Sequence, residues 1–164
     1  MNVTDKIFFR KKNMTLSQIK QFVGSTCYNF QNFKTQTMEK MTNSINWVEI
    51  PVLNFDRAKE FYSRIYDFEM FDEIMHASRM GFLPMERESG GVGGAIVQGS
   101  GYTPTSLGAK VYLNGGKDLL TVLNRVNGAG GEILTPKTKI SDEIGYFASF
   151  EDTEGNHIYL HSME

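Results

Sequence analysis

Seven side chains have the types and the spacing to act together: Trp47, Glu49, Lys110, Tyr112, His157, Tyr159 and His161. They fall in three short alternating runs, WVEI from Trp47, KVYLN from Lys110 and HIYLH from His157. Successive side chains in a strand point to opposite faces. Each run therefore has an apolar face (Val48 and Ile50, Val111 and Leu113, Ile158 and Leu160) and a mixed one. Asn114 joins the mixed set by parity. Flat rings beside a carboxylate, an ammonium and two imidazoles make a small-molecule pocket lining when brought together. Glu49 and Lys110 are expected to pair across it, because an enclosed ammonium is costly alone. No residue is assigned a catalytic role. The competing structural reading has the rings filling the enclosure and the charges pairing.

The elements that must carry these residues follow from the same alternation. Trp47 lies in a strand that opens the stretch INWVEIPVLNFDRAKEFYSRIY. Asn54 can cap the helix behind it, and Phe55, Ala58, Phe61, Tyr62 and Ile65 make one apolar stripe. Strands are expected over 68–75 and 79–83, joined by a turn at His76-Ala77-Ser78, which makes His76 a surface residue. A polar loop over 86–93 and a strand over 94–98 come next. Residues 99–106 read as a linker. The pattern then restarts. A strand over 109–114 precedes a helix with Leu119, Val122, Leu123 and Val126 inward and Asp118 in its first turn. Gly128-Ala129-Gly130-Gly131 ends that helix. Strands over 132–135, 146–150 and 157–161 follow, with a turn at 152–156. The expected fold is α+β: two βαβββ repeats, about 45–98 and 109–161, forming an eight-stranded cup-shaped sheet with helices outside.

Residues 1–43 read as an N-terminal extension to a domain over 44–164. Leu16, Ile19, Phe22 and Val23 suggest a short helix capped by Thr15. Phe8, Phe9, Phe22, Tyr28, Phe30 and Phe33 suggest packing on the domain or on a second subunit. The 164 residues are 40% hydrophobic and 22% charged, with a net charge of −2. That balance offers no broad attraction for nucleic acid or anionic membrane. The single cysteine, Cys27, allows no intrachain disulfide and points to a reducing compartment. No apolar run reaches the roughly 18 residues of a membrane span. The N-terminus has basic residues but no signal-peptide core. The expected location is cytoplasmic.

The segments INWVEIPVLNFDRAKEFYSRIY, GGVGGAIVQGSGYTPT, VYLNGGKDLLTVLNRVNGAGGEILTPKTKI and GYFASFEDTEGNHIYLHS resemble the vicinal-oxygen-chelate superfamily. This group includes glyoxalase I, bleomycin-resistance proteins and extradiol dioxygenases. The similarity covers about residues 44–163 and looks like a bacterial glyoxalase-like subgroup. It implies the double βαβββ fold and a homodimer. Metal-using relatives carry ligands at positions that fall here on Trp47, about Ile96, Lys110 and Tyr159. An indole only donates and an ammonium has no lone pair, so these four imply no metal at that place. A displaced metal at Glu49 and His161 is the alternative, though two ligands are fewer than zinc usually takes. The expected function is a cofactor-free protein that binds a partly aromatic or anionic small molecule. A metal-dependent lyase or dioxygenase, or a structural partner-binding module, are the alternatives.

Overall fold

The computed structural model describes residues 43–86, 88 and 90–164. The expected helix after Thr15 and the aromatics of the N-terminal extension lie outside the described residues. In chain order come β1 (Trp47–Pro51), α1 (Phe55–Tyr66), β2 (Asp72–Met75), β3 (Ser78–Phe82) and β4 (Gly93–Gln98). The second repeat runs β5 (Tyr112–Asn114), α2 (Leu120–Ala129), β6 (Glu132–Ser141), β7 (Gly145–Glu151) and β8 (His157–Ser162). This is the expected α+β fold of two βαβββ repeats. The eight strands divide into two four-stranded sheets, ordered β1-β4-β3-β2 and β5-β8-β7-β6. In each, the first strand runs parallel to the fourth and the others are antiparallel.

The helices form where the stripe and caps direct. Asn54 Oδ1 accepts from Arg57 N at 3.2 Å, and α1 ends at Asp67 in the left-handed region. Its stripe of Phe55, Ala58, Phe61, Tyr62 and Ile65 is wholly buried. Gly130, at φ 103°, ends α2. Asp118 stands just before α2, where its Oδ1 accepts from Leu120 N and from Lys137. One core joins both helices to the inner faces of both sheets, with Ile50, Ile96, Leu113, Phe150, Ile158 and Leu160 beneath them. Full burial of side chains of this size contributes about 1.5–3 kcal/mol each.

Several boundaries differ from expectation. The strand expected over 68–75 begins only at Asp72, although the alternation expected upstream is present, with Met70 buried in the core and Phe71 exposed. The strand expected over 109–114 shrinks to Tyr112–Asn114. The one expected over 132–135 extends to Ser141. It does so as an edge strand with register shifts around Pro136, where a residue lacking an N–H is tolerated. Among the described residues no helix is long and apolar enough to cross a membrane.

Candidate functional site

Among the described residues, β1 and β5 each pair on one side only, which leaves two strand edges without partners there. Val52 N donates to Val97 O at 2.9 Å, so Val48, Ile50 and Val52 turn their amides toward β4. Trp47, Glu49 and Pro51 then turn theirs to the open edge. Pro51 has no N–H to strand there, and its carbonyl accepts from Asn156 Nδ2 at 2.9 Å. On β5, the bonds Tyr159 N to Val111 O and Gly115 N to His161 O turn Tyr112 and Asn114 outward in the same way.

Residues from both edges line a cavity of about 660 Å³. Ile45, Trp47 and Val48 contribute from the β1 side, and residues 109–114 from the β5 side. Tyr66, Leu83, Pro84 and Val92–Gly94 complete the lining. The Tyr66 hydroxyl donates to Asn114 O at 3.2 Å, and burial pushes its pKa well up, so it stays a neutral donor. A smaller hollow of about 440 Å³ shares Tyr112, Leu113 and Asn114 and is lined also by His161, Ser162 and Met163.

Trp47, Lys110 and Tyr112 meet in one cavity, together with Val48, Val111 and Leu113 of the opposite parity. The indole lies over the start of β4, where a Cβ on Gly93 would come within 2.7 Å of its ring. Its edge meets Phe82 at 6.2 Å between centroids. Tyr112 packs on Tyr159 at 4.9 Å, and Tyr159 stacks on His157 at 4.8 Å. Tyr159 and His157 thus form a row of rings behind Tyr112 and line neither cavity among the described residues. His157 Nε2 is buried without a hydrogen-bond partner. His161 lines the smaller hollow, and its Nε2 lies 2.5 Å from Ile144 O.

The expected Glu49–Lys110 pair does not form. Glu49 accepts from Trp47 Nε1 at 3.3 Å and from the Tyr102 hydroxyl at 2.5 Å. The hydrogen bond to Glu49, helped by partial burial, raises the Tyr102 pKa. Both oxygens of Glu49 are used within its own repeat and the linker, because the linker brings a phenol to the strand. Lys110 instead rests its ammonium 5.2 Å from the centre of the Tyr159 ring. Sequence reading missed Tyr102 and Tyr66. The signal for the indole's seat was present in the Gly93-Gly94 pair, since glycine in a strand marks close approach.

The family's metal positions do not suit a metal ion. Trp47 donates its only polar hydrogen to Glu49, Lys110 is a cation, and Tyr159 is sandwiched between Tyr112 and His157. The fourth-strand position, Ile96, faces the helices and is fully buried. Its neighbours Ala95 and Val97, on the opposite face by parity and equally buried, carry no donor. Of the displaced pair, His161 lines the smaller hollow and Glu49 lines neither of these two cavities. Among the described residues no three His, Cys, Asp or Glu side chains are grouped to hold an ion.

The family profile for the Glyoxalase/Bleomycin resistance protein/Dioxygenase superfamily matches residues 44–160, and the chain belongs to that superfamily. No curated protein matches it by sequence. Among solved structures it is similar to TnmS3, an antibiotic binding protein from a Streptomyces species. The identity is 20% over 76% of this chain and 98% of that one, with a TM-score of 0.52. It is also similar to glyoxalase I from Zea mays, at 15% identity over 72% of this chain and 44% of that one, with a TM-score of 0.53. A glyoxalase/bleomycin resistance protein from Albidiferax ferrireducens gives 14% identity, coverage of 72% and 97%, and a TM-score of 0.53. At these identities the likeness establishes the fold.

Proposed function

We propose that this chain is a small-molecule-binding protein of the glyoxalase/bleomycin-resistance type, with its ligand held in the cleft between β1 and β5. The observation that carries the reading is the convergence of Trp47, Lys110 and Tyr112, from two repeats, on one cavity of about 660 Å³. Ligand pockets typically span about 300–1,000 Å³ and are mostly apolar with a few polar groups. The antibiotic-binding neighbour supports a binding role, and the donor set around Trp47 and Lys110 favours one that uses no family metal. Residues 44–164 form the ligand-binding domain on this reading, and residues 1–43 its extension. The lone cysteine favours a cytoplasmic setting.

The test is a thermal-shift screen of small metabolites on the parent and on Ala109→Phe, which fills part of the cleft. A ligand bound only by the folded state raises the melting temperature. At least one compound should stabilise the parent and fail on the variant. A screen without any hit refutes the reading.

The domain also exposes Ile45, Leu53, Phe71 and Ile74, and we propose that it forms a homodimer that covers part of this apolar surface. Light scattering at high micromolar concentration should give twice the chain mass. A monomer there refutes it.

A further inference from the structure

We infer that the cleft takes a flat organic anion, its charged oxygen on Lys110 and its ring between Trp47 and Tyr112. This rests on the ligand-binding reading above and names the ligand's chemistry. Among the described lining residues, Lys110 carries the only charged side chain. Among the described residues it makes no ion pair. Its ammonium lies against the Tyr159 ring, which attracts it weakly and brings no negative charge. Glu49 is not among the lining residues and is committed to Trp47 and Tyr102. The cleft is therefore electropositive.

Ligand charge follows from desolvation. A cationic ligand would face Lys110 at close range with no carboxylate in the lining to offset it. A neutral apolar ligand would strip water from the ammonium and return no acceptor, which is costly. An anion replaces that water with a charge-assisted hydrogen bond. The open edge of β5 adds an outward N–H group at Tyr112, which an oxyanion can also accept from. Ligand shape follows from the walls. Trp47 is held by its hydrogen bond to Glu49 and by an edge contact with Phe82, and Tyr112 packs on Tyr159. Two braced rings on facing strands favour a planar guest over a globular one. Aromatic carboxylates and phenolates have this chemistry.

Trp47 is the only tryptophan in the chain, so its emission reports on the cleft wall. The experiment titrates the full chain with naphthoate, with the isosteric neutral naphthamide and with cyclohexanecarboxylate, following indole emission. Naphthoate should bind at least about tenfold tighter than naphthamide, since hydrogen bonds to charged groups exceed neutral ones by that order. Lys110→Met should erase the difference, and Lys110→Arg should keep it. Cyclohexanecarboxylate should bind more weakly than naphthoate. Equal affinity for naphthoate and naphthamide in the parent overturns the inference and needs no variant to fold. A naphthoate preference that survives in Lys110→Met overturns the role of Lys110. Cyclohexanecarboxylate binding as tightly as naphthoate overturns the planar guest. If neither naphthyl probe perturbs Trp47 while other metabolites stabilise the parent but not Ala109→Phe, this inference fails and the binding reading stands. If no compound of any class does so, the binding reading itself has failed.

Discussion

Individual contacts decide what the cleft can hold. Gly93 is the clearest case, because the Met85 sulfur and the indole of Trp47 together occupy the space its side chain would need. Gly93→Ala should push the ring off its seat and shift its emission, with a stability loss of about 1–3 kcal/mol from overpacking. An unchanged emission spectrum would mean that the indole is not seated there. Asp152 is the second case. It is 4% exposed and accepts from the Tyr62 hydroxyl at 2.8 Å, from Asn156 Nδ2 at 2.9 Å, and from the amides of Glu154 and Asn156. Asp152→Ala leaves several buried donors unmatched and should cost about 3 kcal/mol by urea denaturation. The alternation in the sequence singled out Trp47, Lys110 and Tyr112, which line one cavity, but not Val48, Val111 and Leu113, which line it too. It could not show that Glu49 turns to Tyr102, because a phenol on a linker reaches the strand only through the linker's folded path.

The hairpin between β2 and β3 turns on His76 and Ala77, with φ of 47° and 67°. Met75 and Ser78 pair directly across it. Two positive φ values in a two-residue loop are the type I′ geometry that Asn-Gly fits best. Replacing His76→Asn and Ala77→Gly together should stabilise the domain by about 1 kcal/mol. The check is a higher urea midpoint at unchanged slope. The turn itself was legible between two strand-like runs, but its length was overestimated by one residue, since Ser78 reads as a turn former and in fact pairs. The helices were legible to within a residue or two because their stripes are regular. β6 was not, because Pro136 suggests an end where the edge position tolerates it.

Across the whole domain, the turn after β7 ties the second repeat to the first. Glu154 accepts from Leu53 N at 3.0 Å, Asn54 N at 2.8 Å and Arg57 Nε at 2.7 Å. Burial alone would raise its pKa, but Arg57 and the two amides outweigh that and hold it below the usual glutamate range. Lys59, then Arg79, lowers Asp72, and Lys137 with the Leu120 amide lowers Asp118. A carboxylate whose folded pKa is depressed adds stability above its unfolded value and loses it as pH falls through the folded one. The urea midpoint should therefore hold from neutrality to about pH 5 and fall below that, near the ordinary carboxylate values. Glu154→Gln should lower the neutral midpoint and flatten part of that fall. An acid fall of unchanged depth in the variant would remove Glu154 from the account. The duplication of the βαβββ pattern was legible along the chain. The division into two sheets was not, because periodicity assigns faces to strands and says nothing about which edges stay unpaired. The Glu154 contact also sets an order of events during synthesis. The amides at the start of α1 wait for a carboxylate that lies 100 positions further along. On the ribosome, the first repeat emerges with its helix start open to solvent, and it acquires its last partners only when the final hairpin is made.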